Sequence, residues 1–169
     1  MVPEMTKNTD PVVGPGGYLE ITVVDVVKDE PTSLSAAFSN GASFEVINLH
    51  DHLSGIDILE QVRDDAAVFS TAAIDDWGML AWDNGADMSA DSLYRLGMIQ
   101  TGQGMGRNEF RAWMKRHDLI VDNAGPVLGV SRATIARYSS GEKLIPRTIL
   151  LACKGYDAMQ ADKTEEDAA

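Results

Sequence analysis

Gly129-Val-Ser-Arg-Ala-Thr-Ile-Ala-Arg-Tyr-Ser-Ser-Gly141 carries the strongest local signal in this chain. Gly129 can adopt φ > 0 and so end a helix. Two residues on, Ser131 is a good N-cap, because its hydroxyl can accept an orphan N–H of the following helix. In that helix Ile135 and Tyr138 fall on one face, away from Arg132, Ala133, Ala136 and Arg137. A helix, a tight turn and a second helix with one apolar side and one arginine-bearing side is the pattern of a helix-turn-helix. The second helix of such a motif enters the DNA major groove.

The charge distribution agrees with that reading. The 169 residues carry a net charge of −12, which by itself argues against a nucleic-acid partner. Residues 1–104, however, hold 4 basic and 17 acidic side chains, a balance of −13. Residues 105–156 hold 9 basic and 4 acidic, a balance of +5, and residues 157–169 hold 1 and 5. The positive charge is confined to the region of the motif, and such asymmetry predicts two domains with different partners.

Outside the motif the chain divides at two loose stretches. Residues 1–17 are polar and rich in Pro and Gly, and are expected to form a disordered leader. Residues 97–106 contain Gly102-Gln-Gly-Met-Gly106, which lacks the lysine and the preceding strand of a phosphate loop and is expected to be a linker. An acidic tail, 161–169, is expected to fray. A single cysteine, Cys153, excludes an intramolecular disulfide framework and a cysteine-based zinc cluster. With no apolar run resembling a signal peptide or a membrane span, a cytoplasmic protein without membrane contact is expected.

Between residues 18 and 96 the period is mostly two. Tyr18 to Val27 reads as a strand. Leu34, Ala36 and Phe38 alternate with Ser33, Ser35 and Ala37, and beyond Ser39-Asn-Gly41 Ala42, Phe44 and Val46 alternate with Ser43 and Glu45. A two-residue Asn-Gly turn would place Phe38 and Phe44 on opposite faces. A three-residue loop with Gly41 in the left-handed region pairs Phe38 with Ala42 and keeps both rings together. The same device recurs in Leu80-Ala-Trp82, Asp83-Asn-Gly85 and Ala86-Asp-Met88. A helix over Ile56 to Val68, with Ile58, Leu59, Val62 and Val68 inward, completes a small acidic α+β domain of antiparallel hairpins plus a helix.

Two resemblances follow. Phe38-Ser-Asn-Gly41, Asp75-Asp-Trp-Gly78, Trp82-Asp-Asn-Gly-Ala-Asp87 and Leu93-Tyr94 resemble a bacterial α+β domain family of unknown function, often fused to a helix-turn-helix. Some of its relatives look like small partner-binding, antitoxin-like proteins. Leu128-Gly-Val-Ser131, Ile135, Tyr138, Gly141 and Ile145-Pro146, the last pair opening a final helix, resemble the lambda-repressor-like (Cro-type) helix-turn-helix family over 107–160. That resemblance implies an all-α domain in which Gly125 takes the place of a small inner alanine. Two positions depart from it. Val121 stands where the family commonly has a phosphate-contacting glutamine. Pro126 lies within the first motif helix, which is therefore expected to start late, with Asp122 or Asn123 as N-cap.

The expected function is a DNA-binding transcriptional regulator, a homodimer on double-stranded DNA. Ser131, Lys115, Arg116, Lys143 and Arg147 would hold phosphates; Arg132, Ala133 and Arg137 would face base edges. The N-terminal domain would bind a partner protein or a second copy. The second reading is an antitoxin-like interaction module with weak or lost DNA binding. No enzymatic activity, cofactor or metal is expected. His50 and His52 lack a third ligand by spacing. Asp75, Asp76, Asp83, Asp87 and Asp91 match no carboxylate motif. Cys153, like Phe110, Trp113 and Met114, lies on an apolar helix face, and His117 is placed to meet a helix C-terminus.

Overall fold

The computed structural model describes residues 18–168, in two compact units that divide between Gly97 and Met98. The expected leader, 1–17, lies outside the described residues.

The first unit contains two three-stranded antiparallel sheets. Strands β1 (Ile21–Val26), β2 (Ser33–Phe38) and β3 (Ser43–Asn48) pair in that order. The Ser39-Asn-Gly41 loop has the expected three residues. The Phe38 N–H donates to the Ala42 carbonyl at 2.9 Å, the Gly41 N–H donates to the Phe38 carbonyl at 2.9 Å, and Gly41 has φ 85°. Phe38 and Phe44 share a face, with ring centroids 5.9 Å apart, and Tyr94 closes the cluster at 5.4 Å from Phe38. Farther along, the register shifts: Ala36 pairs with Phe44 but Leu34 pairs with Ile47. The shift turns Ile47 into the core and leaves Val46 exposed, against the simple alternation.

The second sheet is β4 (Ala73–Ile74), β5 (Leu80–Ala81) and β6 (Asp87–Met88). The second loop repeats the first, the Trp82 N–H donating to the Ala86 carbonyl at 3.0 Å. Leu80, Trp82, Ala86 and Met88 are all buried, as the pattern requires. The single helix expected over 56–68 is two helices, α1 (Asp57–Asp64) and α2 (Ala66–Phe69). Asp65 separates them because its extended backbone lets the carboxylate cap α2, accepting the Ala67 N–H at 2.9 Å. Val62 is buried; Ile58, Leu59 and Val68 are half-buried, and Phe69 takes the inner position expected of Val68.

The 97–106 segment is not an open linker. Helix α3 (Ala90–Gln100), capped by the Ser89 hydroxyl on the Ser92 N–H, runs through Gly97. Gly104–Met105 form strand β7, paired antiparallel with β8 (Ile145–Pro146). These glycines serve close packing rather than flexibility. A Cβ at Gly97 would lie 2.6 Å from the Phe44 ring, and one at Gly104 would lie 3.1 Å from the Ile145 carbonyl oxygen.

The second unit also holds α4 (Arg107–Arg116), α5 (Val121–Leu128), α6 (Arg132–Ser140) and α7 (Arg147–Ala168). The β7–β8 ladder means that it is not all-α as expected, and Ile145–Pro146 form a strand before the last helix rather than its first turn. The acidic tail continues α7 as far as Ala168, with exposed side chains. Helix α5 starts earlier than Pro126 implied, with Ile120 as N-cap. The Asn123 carboxamide accepts the Ile120 N–H at 2.7 Å and stabilises that start. Pro126 removes the donor that the Asp122 carbonyl would otherwise receive, but both residues are exposed and water can replace it. Phe110, Trp113, Met114, Ala124, Ile135, Tyr138, Ile149 and Cys153 make the core, with Val130 packed partly buried against it. Burying each of the larger apolar side chains contributes about 1.5–3 kcal/mol.

Candidate nucleic-acid interface

The turn between α5 and α6 is only three residues long. Gly129 ends α5 with φ 69°, and the Val130 N–H donates back to the Gly125 carbonyl at 3.0 Å. Ser131 is extended and caps α6, its Oγ accepting the Thr134 N–H at 3.1 Å. Gly141, with φ 81°, ends α6. Inside these two stops, Ile135 and Tyr138 are buried while Arg132, Ala133 and Arg137 are exposed. One face of α6 is thereby fixed to the core and the other left to solvent.

Each exposed arginine of α6 has an acidic neighbour. The Arg132 Nε donates to Asp122 Oδ1 on α5 in a short contact. The Arg137 Nε lies 3.6 Å from Glu142 Oε1, an ion pair longer than a hydrogen bond. Cations are disfavoured at a helix N-terminus by its dipole, and Asp122 offsets that cost for Arg132.

The other expected phosphate ligands separate. Lys115 lines a groove shared with Ala136, Ser139 and Ser140 of α6, so it does flank the exposed helix. Lys143 stands in the turn after α6, where its N–H donates to the Arg137 carbonyl at 3.2 Å. Arg147 is exposed in the first turn of α7. Arg116 instead reaches α7, with its Nη2 3.2 Å from Asp157 Oδ2. His117 caps α4 as expected, and its Nε2 lies 2.5 Å from the same carboxylate. Burial works against ionisation of Asp157, but the His117 hydrogen bond and the Arg116 charge outweigh it and hold the carboxyl below its usual range.

Two further cations, beyond those the sequence analysis names, stand beside α6. The Arg107 Nη1 donates to the Ser140 carbonyl at 3.2 Å, and Arg111 lines the same groove as Lys115. Their signal was present: 107, 111 and 115 recur every four residues, which puts them on one face of α4. Among the described residues no group of three or more His, Cys, Asp or Glu side chains could hold a metal ion. No helix among them is long and apolar enough to cross a membrane.

No protein-family model matches the chain, and no curated protein matches it. Among solved structures it is similar to the crystal structure of "Putative DNA Binding Protein NE0471" from Nitrosomonas europaea ATCC 19718. The two are 30% identical, the match covers 85% of this chain and 89% of that one, and the TM-score is 0.51.

Proposed function

We propose that this chain, which belongs to the same family as the Nitrosomonas europaea protein NE0471, is a DNA-binding regulator that reads duplex DNA with α6. The observation that carries the reading is α6 itself: Ile135 and Tyr138 are buried, and Arg132, Ala133 and Arg137 are presented to solvent by a three-residue turn. In this reading α5 and α6 form a helix-turn-helix of lambda-repressor type. Ser131, Lys115, Lys143 and Arg147 supply phosphate contacts, joined by Arg111. Arg116 is committed to Asp157 and contributes less. A single recognition helix buries little surface, so two copies on two half-sites are expected. The test is selection from random duplexes by the full chain at a stated salt concentration. Enrichment of a half-site repeated about one helical turn away supports the reading; a pool without enrichment contradicts it.

A second reading, protein-partner binding by the first unit, is favoured by Trp77, whose residue is 82% exposed. Its loop is braced by Asp75, whose Oδ1 accepts the N–H groups of Trp77 and Met79, each at 2.9 Å. A large aromatic held in water by a braced turn has the composition of an interface anchor. Loss of a co-purifying protein in Trp77→Ala, with DNA binding retained, supports this role; a partner that stays bound refutes it.

A further inference from the structure

The exposed Arg132–Asp122 pair has a consequence for specificity, resting on the DNA-binding reading above. Both side chains are mostly exposed, at 70% and 64%, and an ion pair in that setting contributes little to stability. Its geometry is more informative. Asp122 takes the Nε of Arg132, the inner edge of the guanidinium. The two outer Nη groups are the fork that matches the O6 and N7 acceptors of guanine. Arg132 also stands in the first turn of α6, the part of a recognition helix that reaches base edges. Arg137, by contrast, lies 3.6 Å from Glu142 and is five residues along the helix, about 140° around its axis from Arg132.

We infer that Asp122 is a positioning residue: it holds Arg132 with its fork outward, so that this chain selects duplexes with a guanine at one place in each half-site. Arg137, expected from the sequence to face base edges, binds phosphate instead and adds affinity without preference. Asp122 therefore does two opposing things. It fixes the arginine that reads the base, and it places a negative charge beside the phosphates, which weakens binding to every sequence. Removing it separates the two effects.

The experiment uses the full chain, native and as Asp122→Ala and Asp122→Asn, with folding checked by thermal melting. Each protein is taken through selection from random duplexes. Affinities are then measured for the duplex selected by the native chain, for a scrambled duplex, and for the selected duplex carrying 7-deazaguanine at the preferred guanine. In the native chain the loss of N7 is expected to weaken binding about fivefold or more. In Asp122→Ala that penalty shrinks, the guanine preference weakens in the selection, and the scrambled duplex binds more tightly. Asp122→Asn keeps an acceptor oxygen for Nε without the charge, so it retains the guanine preference while binding all duplexes more tightly. An Asp122→Ala protein that keeps the same guanine preference and gains equally on all duplexes overturns the inference, because Asp122 then only repels phosphate. In that outcome the DNA-binding reading stands. A native chain that selects no sequence overturns both.

Discussion

A Cβ placed on Gly125 would lie 2.6 Å from the carbonyl oxygen of Val130. Gly125 lies in α5 and Val130 in the turn that precedes α6, and the same Gly125 accepts the Val130 N–H through its own carbonyl at 3.0 Å. The clash would be with backbone, which cannot swing aside as a flexible side-chain tip can. Alanine does not fit this turn without moving it.

Gly125→Ala is accordingly expected to destabilise the second unit by up to about 2 kcal/mol, the overpacking cost of about 1–3 kcal/mol less roughly the 1 kcal/mol that alanine gains over glycine within a helix. Thermal melting followed by circular dichroism measures it. Because the strain falls on the turn that aims α6, DNA affinity is expected to fall more than the melting temperature alone implies. A variant as stable as the native chain would show that α5 and α6 can move apart freely.

Cys153 is buried in α7, and its carbonyl accepts the Trp113 Nε1–H at 3.2 Å. Burial pushes the thiol up to about 12; the carboxylates of Asp157 and Glu109 add to the shift, and Arg116 opposes it. Almost none of the thiol is then ionised near neutral pH, and thiolate is the reactive form. The folded protein is expected to react negligibly with a thiol-disulfide reagent, and the denatured protein to react fully. Rapid labelling of the folded chain would contradict the packing described for α7.

The Asp157 carboxylate, shared by His117 and Arg116, makes the second unit sensitive to acid. Its value in the folded protein is lowered from the ordinary 3.8, so the stability it contributes is complete above that value. The contribution is lost as pH falls below 3.8 through the lower folded value, because the unfolded chain takes up the proton first. Asp157→Asn is expected to be less stable than the native chain at neutral pH and to lose less stability on acidification. Parallel curves of stability against pH for the two proteins would remove Asp157 from the account.

The two hairpins were legible because Asn-Gly at a loop, flanked by alternating apolar residues, leaves few registers that keep Phe38 beside Phe44. The exchange of Val46 for Ile47 in the core was not, since it depends on a register shift that only the pairing of β2 and β3 creates. The packing roles of Gly97 and Gly104 are not legible, because a sequence does not show the Phe44 ring or the Ile145 carbonyl lying against them. In the candidate interface, the exposed face of α6 was visible from the spacing of Ile135 and Tyr138. The acidic partners of its arginines were not, because Asp122 comes from α5 and Glu142 from the turn that follows α6. The α4 stripe of Arg107, Arg111 and Lys115 is legible from its four-residue period.

The measurement that bears most directly on α6 is an affinity titration of the selected duplex and a scrambled duplex across a range of salt, with the native chain, Arg132→Ala and Arg137→Ala. Arg132→Ala is expected to lose about 1–3 kcal/mol on the selected duplex, roughly 5- to 150-fold, and far less on the scrambled one. Arg137→Ala is expected to weaken both duplexes alike and to reduce the salt slope by about one. Native-like circular dichroism in both variants, together with unchanged affinity for the selected duplex, would contradict the claim that α6 binds DNA.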